Sequence, residues 1–177
     1  MPGGGGTFFD RATMKAVGPF EVPHLDDVER TWGEVFASAG REAAGSTCLH
    51  AWASASSSLA EAVSFGEFLA RATACGARLP GASPGSRVVF LSHPSVAYYV
   101  AACGAFVLQC AVVNLNWRQP ASALRHAVAT VGSAVACVVV SDELADLADA
   151  VGEFRGSPRV RLRALFDAGE AATKAPR

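Results

Sequence analysis

Charge is scarce in this sequence. Asp, Glu, Lys and Arg make up 18% of its 177 residues, where about 25% is usual, and the formal net charge is -1. That near-balance excludes the electrostatic footprint of a nucleic-acid or anionic-membrane binder. Hydrophobic residues reach 51%, which excludes bulk disorder, since disorder needs low hydrophobicity and high net charge. A disulfide framework is missing too. Cys48, Cys75, Cys103, Cys110 and Cys137 are odd in number and widely spaced. Four of the five sit in apolar surroundings, where a free thiol behaves as a small core hydrophobe. A reducing, intracellular compartment is therefore expected, taken as cytoplasmic with organelle targeting left open.

No apolar signal region follows Met1-Pro2, because Gly3 to Gly6 come next. That run is not a phosphate loop either: no strand precedes it and no Gly-Lys-Ser/Thr follows. A flexible tail is expected. Arg11 and Lys15 give a short transit-like stretch that Asp10 and Glu21 oppose. Only one apolar run is long. Val96 to Val113 is broken by Gly104 and Gln109 alone and reaches the lower limit of about 18 residues for a membrane helix. Gln109 lies inside it, Tyr98 and Tyr99 sit at one end, and Ala111-Val112-Val113 runs on into Asn114-Leu115-Asn116. A buried helix followed by a buried strand is expected, with no membrane span.

What is present reads as one domain of roughly 100–200 residues, long enough to bury a core without disulfides or metals. Residues 1–27 hold the glycine run and Pro2, Pro19 and Pro23 with no sustained period, and are expected to be a flexible leader. From Asp26, the spacing of Val28, Trp32, Val35, Phe36 and Ala39 predicts a helix that Gly40 ends. Residues 49–52 predict a short strand and Ser54 to Ser58 a polar turn. Ser64 with Glu67 three residues later predicts a capping box, opening a helix through Phe68, Leu69, Ala72 and Cys75 with Gly76 at its carboxyl end. Arg87 to Leu91 predicts a strand. Ser92 is then expected to cap a helix with Pro94 in its first turn. Ala111 to Leu115 predicts a strand, Ser122 a third helix, Val135 to Val140 a continuous apolar strand, and Asp142 the cap of an acidic helix. The alternation of Val160 to Leu165 predicts a last strand before a tail at 166–177. Apolar strands separated by helices imply an α/β fold, a partial and mostly parallel sheet with covering helices.

Candidate chemistry is thin. Gly81-Ala82-Ser83-Pro84-Gly85 spells G-x-S-x-G, but a nucleophile elbow needs a strand before the serine and a helix after it, and here the order is reversed. Pro84 also removes the N–H that an oxyanion hole would use. Cys48 and His50 lack a second pair at zinc-ligand spacing. His93 is expected at the carboxyl end of a strand, the edge where α/β sheets bind ligands, with capping or loop duty as the plainer role. The Ser54–Ser58 run lacks the glycines and lysine of an anion loop. Arg155, Arg159, Arg161 and Arg163 follow the acids Asp142, Glu143, Asp146, Asp149 and Glu153, and are expected to be a solvated face or edge strand. Lys174 stands alone in the tail. No nucleophile, base and oxyanion site assemble, so no catalytic, cofactor-binding or metal-binding residue is assigned.

Three stretches carry a resemblance. Val63-Ser64-Phe65-Gly66-Glu67-Phe68-Leu69 is similar to a Thr/Ser-Tyr/Phe-x-Glu-Leu helix start. Pro84-Gly85-Ser86-Arg87-Val88-Val89-Phe90 is similar to a Gly-Asp-Arg-Val strand. Gln109-Cys110-Ala111-Val112-Val113-Asn114-Leu115-Asn116-Trp117-Arg118 is similar to an Ala-Gly-Ala-Val strand running into Leu-Asn-x-Arg. In this order and spacing they resemble the beginning of the adenylate-forming superfamily, the acyl-CoA synthetase and AMP-dependent ligase group, over residues 28–165. Ser86 replaces the usual Asp and Cys110 the usual Gly, changes that bear on turn geometry and packing. The resemblance implies an incomplete N-terminal subdomain. The complete family enzyme uses ATP, magnesium and coenzyme A to activate a carboxylic acid as an acyl-adenylate and pass it to a thiol. Its Ser/Thr/Gly-rich loop ending in Pro-Lys-Gly, its Tyr-Gly-x-Thr-Glu segment, its ribose-holding Asp and its C-terminal lysine have no counterpart here. The chain is therefore expected to bind no cofactor alone and to be catalytically incomplete. The alternative is a non-catalytic module that pairs with a full-length ligase through exposed apolar surface.

Overall fold

The computed structural model describes residues 8–10, 15–17, 31–52, 59–132, 135–152, 154 and 156–174. Met1–Arg30 and Thr31–Arg177 are two separate units. In the first, inside the stretch read as a leader, strand β1 (Phe8–Asp10) pairs antiparallel with β2 (Lys15–Val17).

The second unit opens on helix α1 (Trp32–Glu42). Its start is set by a capping box that the sequence reading passed over. Glu34 N donates to Thr31 Oγ1 while the Glu34 carboxylate accepts from Thr31 N at 2.6 Å. The helix runs through Gly40 rather than ending there, since Gly40 is not in the left-handed geometry of a terminating glycine, and its small size leaves room for Leu69. A hairpin follows, β3 (Thr47–Trp52) against β4 (Leu59–Ser64). The Ser54–Ser58 run lies outside the described residues.

Helix α2 (Phe65–Gly76) starts where expected, with Glu67 N donating to Ser64 Oγ. Only this half of the expected box is seen at Glu67, whose carboxylate accepts from Arg71 at 2.6 Å. Gly76 is not a left-handed cap, since the capping residue is Ala77 in right-handed helical geometry. Its small size instead allows close approach of a second helix. A Cβ on Gly76 would stand 2.7 Å from the Gly104 carbonyl oxygen.

Strand β5 (Arg87–Leu91) is followed by α3 (Val96–Val107). The cap of α3 is Ser95, whose Oγ accepts from Tyr98 N at 3.1 Å. Ser92 donates its hydroxyl to the His93 carbonyl instead, and Pro94 precedes the helix. Helix α3 stops at Val107, and Gln109 turns the chain with a φ of 58°. The long apolar run is thus a 12-residue helix plus β6 (Ala111–Asn114). No helix among the described residues is long and apolar enough to cross a membrane.

Helix α4 (Ala121–Val131) begins after Pro120, so Ser122 lies in its first turn rather than capping it. Strand β7 (Val135–Val140) is as expected. Ser141, not Asp142, takes the capping position of a 3-10 turn over Asp142–Leu144, which leads into α5 (Ala145–Val151). Strand β8 (Arg159–Arg161) is short, and the residues expected to finish it and begin a tail form α6 (Leu162–Lys174). Leu162 and Leu165 are buried three apart, the helical period that competes with strand alternation in so short a window.

The sheet of this unit is parallel, in the order β6-β5-β7-β8. Past Arg87, its central strands β5 and β7 are apolar because both faces are covered. Val88, Phe90, Cys137 and Val139 pack with α3 and α6 on one face, and Val89, Leu91, Val138 and Val140 with α4 and α5 on the other. All five cysteines are free, and Cys75, Cys103, Cys110 and Cys137 are buried, as expected. Burial pushes the Cys75 and Cys137 thiols up to about 11 and Cys103 to about 12.

Candidate functional site

Strand β5 hands the chain to β6 on one side, and the chain then returns to β7 on the other. Beyond the carboxyl ends of β5 and β7 the connections therefore part to opposite faces. Such a switch point leaves a crevice that α/β sheets use for ligands. Here a cleft of about 510 Å³ opens at that place. The β5–α3 loop supplies Ser92, His93 and Ser95, the end of β7 supplies Ser141, Asp142 and Glu143, and the start of α6 supplies Arg163.

His93 is where the sequence put it, but its ring is used for packing. It stands edge-on to Trp117, 4.2 Å between centroids, and the Arg118 guanidinium covers the Trp117 ring at 4.9 Å. Asp142 is paired with Arg161 at 3.3 Å, and Arg163 with Asp167 at 2.9 Å. Arg159 binds Asp149 at 2.6 Å. Arg159 and Arg161 thus pair with acids before them in the chain, and Arg163 with one after it. Arg155 and Glu153 lie outside the described residues, as does the side chain of Lys174.

Ser141 is the cleft residue that sequence reasoning missed. It is only 6% exposed, its N–H donates to the Leu91 carbonyl, and its hydroxyl has no partner among the described residues. The available signal was a polar residue closing a continuous apolar strand. A buried hydroxyl without a partner costs stability. Ser141→Ala is expected to raise stability by about 1 kcal/mol, read as a higher urea midpoint with an unchanged slope. A lower midpoint would show that the hydroxyl is satisfied.

The other sequence candidates lie elsewhere. Gly81 to Gly85 form the turn before β5, at the amino end of the sheet, opposite the cleft. Ser83 O accepts there from Ser86 Oγ at 2.7 Å and from Cys110 Sγ at 3.3 Å. The loop is a turn and not a nucleophile elbow. Cys48 and His50 lie on β3, and no metal-holding group of His, Cys, Asp and Glu is found among the described residues. In the cleft itself no base hydrogen-bonds a serine hydroxyl among the described residues. The arrangement offers serine hydroxyls beside the Ser95-capped start of α3, and no nucleophile with its base among the described residues.

A family model described as AMP-binding enzyme matches residues 36–176. A search of curated proteins by sequence returns no match. Among solved structures, the N-terminal domain of FACL13 from Mycobacterium tuberculosis superposes with a TM-score of 0.65 at 18% identity, covering 80% of this chain and 36% of that one. A fatty acyl-adenylate ligase from L. pneumophila, in complex with acyl adenylate and pyrophosphate, gives 0.61 at 19%, covering 83% and 26%. The anthranilate CoA ligase AuaEII gives 0.66 at 14%, covering 85% and 29%. These likenesses show the fold, and the chain spans about a third of the proteins it matches.

Proposed function

Because the chain belongs to the AMP-binding enzyme family, we propose that it is the N-terminal segment of an AMP-forming acid–thiol ligase and is catalytically incomplete alone. The family match over residues 36–176 carries this reading. The parallel sheet and its cleft at the switch point support it as a scaffold.

Adenylation needs strong charge stabilisation on the phosphates. The Pro-Lys-Gly loop and the Tyr-Gly-x-Thr-Glu segment that the resemblance leads one to seek are not in this sequence. Nor do the cleft residues fit magnesium–ATP. Asp142 is engaged with Arg161, Arg163 with Asp167, and no set of three acidic, His or Cys ligands converges among the described residues. No step of the ligation is therefore assigned to these side chains. Carboxylic acid, ATP and coenzyme A become substrates only together with regions that carry the missing motifs.

The purified chain, offered a panel of carboxylic acids, is expected to give no acid-dependent exchange of pyrophosphate into ATP. Clear turnover would overturn the incompleteness and place adenylation within these 177 residues.

A further inference from the structure

No further inference is drawn: the strongest candidate, the cleft at the carboxyl ends of β5 and β7 where the buried Ser141 lies beside the Ser95-capped start of α3, belongs to the site already described, and with Asp142 and Arg163 already paired its side chains point to no one class of ligand.

Discussion

Gly104→Ala is expected to lower the stability of the 31–177 unit by about 3 kcal/mol, the upper part of the range for overpacking a core. A loss of that size lowers the melting midpoint by ~6–12 °C for a chain of this length. The physical cause is the crossing of α2 and α3. A Cβ on Gly104 would lie 2.5 Å from the Ala72 carbonyl oxygen, 2.8 Å from Gly76 N and 3.2 Å from Gly76 Cα. Every one of these is a backbone atom, so no side chain can rotate out of the way and the helices must separate. Separation would loosen the layer formed by Val63, Phe68, Ala72, Cys75, Val100 and Cys103, all buried. Gly45→Ala is the control. Nothing lies within 4 Å of its Cβ position and its φ is not positive, so its melting point should stay within about 2 °C or rise slightly. Equal melting of Gly104→Ala and wild type would mean that the helices do not cross at these glycines.

The same pair of glycines shows where the sequence was and was not legible. Gly76 was visible as a glycine at a helix end, and the usual reason for that is a left-handed cap. Its true partner, Gly104, stands in another helix, and a close approach between distant residues leaves no local pattern. Strands β5 and β7 were legible because burial on both faces leaves an unbroken apolar run. Strand β4 was not, since Leu-Ala-Glu-Ala-Val-Ser mixes polar and small residues. The Thr31–Glu34 box was present in the sequence but lay inside the stretch where helical spacing had already placed a start at Asp26. Ser92 was the expected cap of α3, but Pro94 biases His93 before it away from helical geometry, and the helix starts after Ser95 instead. At the cleft, His93 was legible from its place after a strand. The Trp117 ring against it and the hydroxyl of Ser141 were not, because they lie in the segments that follow β6 and β7, brought together only by the order β6-β5-β7.

That order also separates two surfaces. The cleft sits at the carboxyl ends of the central strands, each with a neighbour on both sides, while the edge at β6 has a neighbour on one side only among the described residues.

Phe90→Ala tests the part of the core on which both surfaces rest, and it is expected to cost about 3–5 kcal/mol. Phe90 is 1% exposed on the central strand, in register with Asn114 of β6 and Val139 of β7. Its ring meets Tyr98 edge-on at 5.6 Å and 88°, and the Tyr98 hydroxyl donates to Asn114 Oδ1 at 2.9 Å. The ring thus ties β5 to the first turns of α3, and through Tyr98 to the edge strand. Its removal leaves a cavity that the flanking strands cannot close, because their backbones are fixed by the ladder. Against a total stability of roughly 5–15 kcal/mol for a domain, such a loss puts a visible fraction of molecules in the unfolded state. Phe90→Leu, which keeps most of the volume, should cost less than about 1.5 kcal/mol. The thiols report the same event by a different route. Cys75, Cys103 and Cys137 are held protonated by burial, at about 11, about 12 and about 11, and react slowly while the core is closed, since the thiolate is the nucleophile. On unfolding they return to ordinary thiol acidity, so their modification near pH 8 should speed up in Phe90→Ala in step with the drop in melting point. A variant with wild-type melting and wild-type thiol reactivity would show that Phe90 does not fill the space between β5 and α3.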